Sequence, residues 1–426
     1  MNKNHFTIII GIISMISIIG YVTTTSALSS NAYDKLLKKS VLSKDNGESI
    51  QKIITGPNIS DDMGVNNDTI LQFKMAPEFH KIEEGINTND SIPITIASSK
   101  GKVVLVNFWT YSCINVLRTL PYLIDWDAKY SDSGLVIVGI HTPEFEFEKN
   151  AENVKSAVQR YGIKYPVLQD NAYGTWNAYE NNYWPRMYLV DGQGYIRYDK
   201  IGEGDYDDTE KLIQSLLNER NTDKDVKNID FNNNTFSYDN NNEIQNNSKN
   251  NIISFLAQPV DFSKIKTPEL YFGNQSSRSA LGNPQGFHLG QTINYFLPLS
   301  PSLSMSNSSI KPNTIYLEGQ WKNNPDNVEL QSSTGRILLS YSAKSVNMVV
   351  GVNSSDKSQS QVTVYEDNSL ISNKSKGIDI GNNSKFIANE PRLYNIVNHQ
   401  SYSSGNHSLL IDIKGKGFQA YVFTFG

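Results

Sequence analysis

Cys113 is the only cysteine in this 426-residue chain. It stands in the stretch Trp109-Thr110-Tyr111-Ser112-Cys113-Ile114-Asn115-Val116. The residues before it, Val103 to Phe108, are apolar and β-branched and predict a buried strand. The residues after it, Leu117 to Ile124, carry apolar side chains at helical spacing. A sulfur at the head of a helix faces orphan N–H donors and the positive end of the helix dipole, so its thiolate is expected to be favoured. The thiolate is the species that attacks disulfides. A Cys-x-x-Cys dithiol would carry its second sulfur at position 116, where this chain has Val116. The nucleophile is present and the resolving position is degenerate.

No other group in the sequence matches this one for chemistry. Glu144, on a loop after a predicted strand, is the nearest acid or base, set against the plainer reading of a solvated surface Glu. His141 reads as a strand-end histidine. The His residues are scattered and, with one Cys, give no metal-ligand spacing, so neither metal nor cofactor is expected. The net charge is −5 and no long basic run occurs, which argues against nucleic acid as a partner. An unpaired thiol in an oxidising compartment tends to be lost, caged or used, and its place at a strand-to-helix turn favours use.

The compartment follows from the N-terminus. Lys3 precedes an apolar run from Phe6 to Val22, and Thr25-Ser26-Ala27 then supplies small residues. Residues 1–27 read as a signal peptide cleaved after Ala27 or as an N-terminal membrane anchor, which places the body outside the cytoplasm. Asn-x-Ser/Thr sequons at Asn58, Asn67, Asn89, Asn233, Asn246, Asn274, Asn307, Asn353, Asn373, Asn382 and Asn406 avoid residues 90–232, a distribution that fits an exported glycoprotein.

The elements that must position Cys113 lie in residues 71–220, after a polar spacer at 28–70. Short strands are expected at Pro93–Ile96, Leu135–His141, Tyr165–Asp170 and Trp184–Asp191. Gly192-Gln193-Gly194 reads as a hairpin turn into Tyr195–Lys200. Helices are expected at Ala151–Tyr161, Asn171–Tyr179 and Asp208–Leu217. This alternation predicts an α/β domain with a mixed sheet and flanking helices. Residues 221–252, with two Asn triplets and few large apolar residues, read as a disordered linker between two separate bodies. Residues 253–426 alternate in period two at 336–341, 345–350, 361–365, 409–413 and 418–425, which predicts an all-β, jelly-roll-like sandwich.

These residues carry a family resemblance. Ala76-Pro77-Glu78-Phe79, the stretch Gly101 to Asn115, Leu117-Arg118-Thr119-Leu120-Pro121-Tyr122-Leu123, His141-Thr142-Pro143-Glu144-Phe145 and Tyr183-Trp184-Pro185 resemble the thioredoxin-like domain of DipZ-type proteins, relatives of the TlpA-like, redoxin-type extracytoplasmic thiol–disulfide oxidoreductases. Thr267 to Gly273, Gly319-Gln320-Trp321, Glu390 to Tyr394 and Ala420 to Gly426 resemble the β-sandwich that follows in those chains. The sequence departs from the family at Val116, and with only one N-terminal apolar run it is not expected to carry the family's transmembrane electron-conducting domain.

The resemblance implies a thioredoxin-like fold with Cys113 as catalytic nucleophile. Trp109, Tyr111, Trp184 and Pro185 are the substrate-binding positions, and Pro185 is expected to be cis. Asn107 sits where many thioredoxins keep a buried Asp. Thr110 to Cys113 also spells the Thr-x-x-Cys of peroxiredoxins, but Val106 stands where that motif carries Pro. The implied partners are extracytoplasmic protein thiols or disulfides, with a membrane electron donor as a further candidate. By fold analogy a glycan is a candidate for the sandwich, on a face made by Tyr316, Trp321, Arg392 and Tyr394. Two functions follow: a single-cysteine thiol–disulfide oxidoreductase working through mixed disulfides, or a catalytically impaired thioredoxin-fold binding or scaffold protein.

Overall fold

A computed structural model describes residues 73–88, 93–222, 248–273, 281–297, 310–353, 359–402 and 405–426. The expected signal or anchor, the spacer, most of the linker and the sequons at Asn58, Asn67, Asn89, Asn233, Asn246, Asn274 and Asn307 lie outside those residues. Asn373, Asn382 and Asn406 are exposed. No helix among the described residues is long and apolar enough to cross a membrane.

Residues 73–222 build a six-stranded mixed sheet in the order β1-β4-β3-β2-β5-β6. Its strands are β1 (Gly85–Ile86), β2 (Val103–Trp109), β3 (Leu135–His141), β4 (Val167–Gln169), β5 (Arg186–Val190) and β6 (Ile196–Ile201). β2, β3 and β4 run parallel, while β5 lies antiparallel to both β2 and β6. Every residue of β2 is buried, because helices cover both faces of the strand that ends at the cysteine. The helices are α1 (Ile114–Leu117), α2 (Leu120–Tyr130), α3 (Ala151–Tyr161), α4 (Gly174–Ala178) and α5 (Tyr206–Thr222). α2 packs on β3 and α5 on β2. Local chemistry sets their limits. Pro121 sits in the first turn of α2, where no N–H is needed. The Asn150 side chain accepts from the Glu152 and Asn153 amides to start α3, and Gly162 at φ 72° ends it.

The expected strand at Pro93–Ile96 is not formed. Glu78 instead accepts hydrogen bonds from the Ile96 and Ala97 amides (2.9 and 2.8 Å), and Ala97–Ser99 turns as a short 3-10 helix. A side chain has taken the donors that a ladder would have used.

A further helix, α6 (Ser248–Leu256), packs against α2 and α3. It straddles residue 253, where the sequence reading begins the second domain, and it lies on the first.

The second domain is a twelve-stranded sheet. Its strands are β7 (Leu270–Tyr271), β8 (Thr292–Tyr295), β9 (Ile315–Asn323), β10 (Val328–Leu330), β11 (Thr334–Tyr341), β12 (Ser345–Val352), β13 (Ser360–Glu366), β14 (Ser369–Leu370), β15 (Lys385–Ala388), β16 (Arg392–Asn398), β17 (His407–Lys414) and β18 (Phe418–Phe425). The two layers of the sandwich are halves of this one sheet, and β9 belongs to both. Its first half pairs with β11 and its second with β8 and β10. The change falls at Gly319, whose φ of 108° few other residues adopt. Ile337, Leu339, Val362, Val364, Ile411 and Ile413 from one layer share a core with Trp321, Leu330, Met348, Val350, Ile396 and Phe423 from the other. The expected aromatic sugar face is therefore absent. Trp321, Tyr316 and Tyr394 are buried, and Arg392 lies over the Tyr394 ring and pairs with Asp379 and Glu390. The apolar side of each aromatic is worth more inside the sandwich than on its surface.

Residues 71–426 form one compact unit. The loop after β3 meets the sandwich directly. Phe145 and Phe147 pack edge-on against Tyr421 of β18 at 5.0 and 4.7 Å, and Arg160 of α3 pairs with Glu390.

Candidate active site

Cys113 is the residue before α1, with φ −84° and ψ 118°, and it is half-buried. The strand delivers it, and the turn Thr110-Tyr111-Ser112 lifts it out of the sheet. Burial pushes its thiol well above the usual value, and the Glu144 and Glu269 carboxylates push the same way. The amides of Val116 and Asn115 hydrogen-bond to the sulfur and favour the thiolate, but they are outweighed. The expectation of a favoured thiolate is thus reversed. The helix it heads has only four residues, and two acids stand beside the sulfur.

Val116 is fully buried in α1. The resolving position is filled by an apolar side chain that leaves no polar atom unpaired.

The cysteine opens on a cleft of about 500 Å³ whose walls come from both domains. Ser112, Glu144 and Trp184 stand on one side; Glu269, Tyr271 and Asp326 stand on the other. Glu144 is half-buried and accepts a hydrogen bond from the Tyr271 hydroxyl at 2.8 Å, so it is not a merely solvated loop residue. Tyr271 also lies 3.4 Å from Glu269, and the Glu146 amide reaches Asp326 at 3.3 Å. Among the described residues three acids, Glu144, Glu269 and Asp326, line the cleft with no Lys or Arg beside them in its lining.

Glu148, which the sequence reading missed, ties the acid loop to the thiol turn. It is wholly buried, accepts from Ser112 Oγ at 2.6 Å, and accepts from the amides of Glu144 and Phe145 at 2.6 and 3.0 Å. Burial raises its pKa against those bonds. Its position in Glu144-Phe145-Glu146-Phe147-Glu148 gave no hint which of three acids would turn inward.

Of the expected substrate positions, Trp184 lines the cleft and its indole Nε1 donates to the Thr142 carbonyl at 3.0 Å. The Trp184–Pro185 bond is cis, as expected, and Pro185 is buried beside the cleft-lining Trp184. Trp109 and Tyr111 do not reach the cleft. They are buried and pack on His141, with ring centroids 5.2 and 5.6 Å away. Alternation along β2 and the turn after it points these large rings into the core, where their area is best hidden. His141 packs on both rings, and burial pushes its pKa down to about 3, which favours the neutral imidazole. Asn107 is buried, as an Asp would be there.

The comparisons fit this architecture. Residues 68–217 match the Redoxin family, and residues 267–426 match the family described as the thioredoxin like C-terminal domain. Protein DipZ of Mycobacterium bovis is 35% identical over 280 residues, which are 65% of this chain and 35% of that one. This chain therefore spans about a third of the length of the DipZ proteins it matches. The thiol-disulfide oxidoreductase ResA of Bacillus cereus is 28% identical over 123 residues, 29% of this chain and 68% of that one. Among solved structures, a thioredoxin-like protein in its oxidised form is 26% identical, with a TM-score of 0.32, covering 34% of this chain and 97% of that one. This chain is a two-domain thioredoxin-like protein, a Redoxin domain followed by a thioredoxin-like C-terminal domain, and it resembles the DipZ proteins.

Proposed function

We propose that the protein is an extracytoplasmic thiol–disulfide oxidoreductase that acts through Cys113 alone and holds its substrates as mixed disulfides. The observation that carries this reading is a lone thiol opening on a two-domain cleft, with a buried Val116 at the resolving position. In the first step Cys113 gives up its proton and its sulfur attacks a substrate disulfide. The new S–S bond forms as the old one breaks, the electron pair leaves with the departing sulfur, and that thiolate takes up a proton. A second substrate cysteine or an external thiol then attacks the mixed disulfide and releases Cys113. No cofactor is needed, because the electrons pass only between sulfurs.

The raised thiol shapes both steps. A thiol that ionises reluctantly is mostly protonated at neutral pH, so attack is slow. The same sulfur is a poor leaving group, so its release from a mixed disulfide is slow as well. Glu144, which accepts from Tyr271 and lines the same cleft as the thiol, is our candidate to take and return the proton. The N-terminal export pattern supports the location, with protein thiols and disulfides as partners. Detecting full-length, unprocessed protein free in the cytoplasm would overturn the location.

The half-buried, raised thiol also favours a second reading, a thioredoxin-fold binding or scaffold protein without turnover. Intact-mass measurement after incubation with oxidised insulin decides between them. Adducts on wild type, absent from Cys113→Ala, support exchange; no adduct at any pH up to 9 supports the scaffold.

A further inference from the structure

At one end of the sandwich four strands bring together side chains that the sequence keeps far apart. β11 ends at Tyr341 and β13 at Glu366. His399 follows the end of β16, and His407 opens β17. Antiparallel pairing sets Tyr341 opposite His407. The Nε2 atom of His399 lies 3.0 Å from Glu366 Oε1. The Tyr341 hydroxyl donates to that same oxygen and lies 3.3 Å from His399 Nε2. The two imidazole rings stack with centroids 4.9 Å apart. One ligand atom from each of Glu366, His399 and His407 lies within 4.8 Å of the other two, and all three residues are half-buried.

The surroundings brace these groups. Asp367 Oδ2 is 2.7 Å from His407 Nδ1, and Asp367 Oδ1 accepts from the Ser408 amide at 2.9 Å. A carboxylate fixing a ring nitrogen orients a histidine and raises its basicity as a ligand, the usual outer support of a metal-bound imidazole. Two imidazoles and one carboxylate form a borderline donor set that suits zinc and its late-transition-metal neighbours better than calcium or magnesium.

We propose that Glu366, His399 and His407 bind one divalent late-transition-metal ion, with Asp367 and Tyr341 positioning the ligands. The ion takes the place of the direct contact between His399 Nε2 and Glu366 Oε1. Ligation needs deprotonated donors, so binding releases protons. The site is independent of the Cys113 cleft and of the reaction proposed there. It escapes a search by spacing because its ligands come from three strands, not from one motif.

The test uses untagged full-length protein stripped with EDTA and titrated with ZnCl2 by calorimetry, with CoCl2 absorption as a second readout. One Zn2+ per chain is expected, together with a cobalt d–d spectrum. His399→Ala, His407→Ala and Glu366→Gln should each weaken binding by more than about tenfold, and Asp367→Asn by about tenfold, the scale of lost outer support. Circular dichroism confirms that each variant is folded. Glu366→Gln keeps the side chain's volume, so it still reports if a histidine variant does not fold. Cys113→Ser should bind Zn2+ as tightly as wild type. Absence of saturable Zn2+ binding to wild type, with the cluster serving as ion pairs only, would overturn the proposal. So would full binding by a folded His399→Ala/His407→Ala double variant, or loss of the ion in Cys113→Ser.

Discussion

The two walls of the cleft bring different chemistry to one sulfur. The Redoxin wall brings the sulfur itself, two amides that favour its thiolate and Glu144, which works against it; the sandwich wall brings Tyr271, Glu269 and Asp326, and Glu269 works against it too. A strand, a turn and a helix explain where the cysteine is. They do not by themselves explain how it behaves, because burial first, then the Glu144 carboxylate and, more weakly, Glu269 of the other domain all work against its ionisation. The second domain thus adds to a shift that the first domain already sets. The predictions that follow try to separate the two walls.

The largest effect belongs to the sulfur itself. Cys113→Ala should abolish adduct formation altogether. Val116→Cys should place a second thiol behind the first and convert slow trapping into catalytic insulin reduction with a dithiol reductant, with little strain, because Cys and Val have similar size. Efficient turnover by wild type would show that the resolving thiol comes from elsewhere.

Next comes the charge that the two walls bring to the sulfur, Glu144 from one and Glu269 from the other. Cys113 ionises above the usual thiol range, so wild-type alkylation by iodoacetamide should be slow at pH 7 and should rise about tenfold per pH unit until that range is reached. Removing a nearby negative charge lowers a thiol pKa. Glu144→Gln and Glu269→Gln should therefore each speed alkylation at pH 7, together on the order of tenfold, which is one pKa unit. Unchanged rates in both variants would mean that burial alone sets the thiol.

Tyr271→Phe tests how the walls are joined. It removes the hydroxyl from Glu144 at 2.8 Å and should cost about 1.5–3 kcal/mol in urea unfolding, the range for a hydrogen bond to a charged group, with the lower end expected because Glu144 is only half-buried. If a protease site is introduced within 223–247 and cut, the two halves should still elute together from a sizing column, since Phe145 and Phe147 remain packed on Tyr421. Separation of the halves would restore the two independent bodies expected from composition.

These contrasts show what the sequence carried. β3 at Leu135–His141 and α3 at Ala151–Tyr161 were legible to the residue, because apolar period and the Asn150 and Gly162 caps agree there. β11, β12, β13, β17 and β18 were legible from alternation. β7, β8 and β10 were not, since two to four residues are too few to show a period. Cys113 and Pro185 were legible as local motifs. Glu148 was not, because nothing local told which acid of its loop would turn inward to Ser112, and Tyr271 and Glu269 were not, because their roles arise only when the two domains meet. Nor were Glu366, His399 and His407.

The smallest effect should lie at the rim of the interface. Arg160 pairs with Glu390, but their side chains keep 27% and 38% of their accessible surface. Water and salt screen such a pair, and ordering two long side chains costs entropy. Glu390 also retains Arg392 at 2.9 Å, so deleting Arg160 leaves no carboxylate stranded. Arg160→Gln should therefore cost less than about 1 kcal/mol. Arg392→Gln is the contrasting case. Its side chain is 17% exposed, holds Asp379 at 2.9 Å and lies 3.7 Å over the Tyr394 ring, so its loss leaves the half-buried Asp379 carboxylate without this cation, though still accepting from the Asn395 amide, and bares a ring face. That variant should cost about 2–4 kcal/mol, between the surface and fully buried cases. Parallel urea curves measure both. If Arg160→Gln proves as costly as Arg392→Gln, the rim and not the cleft holds the domains together, and the contrast between the two walls loses its structural basis.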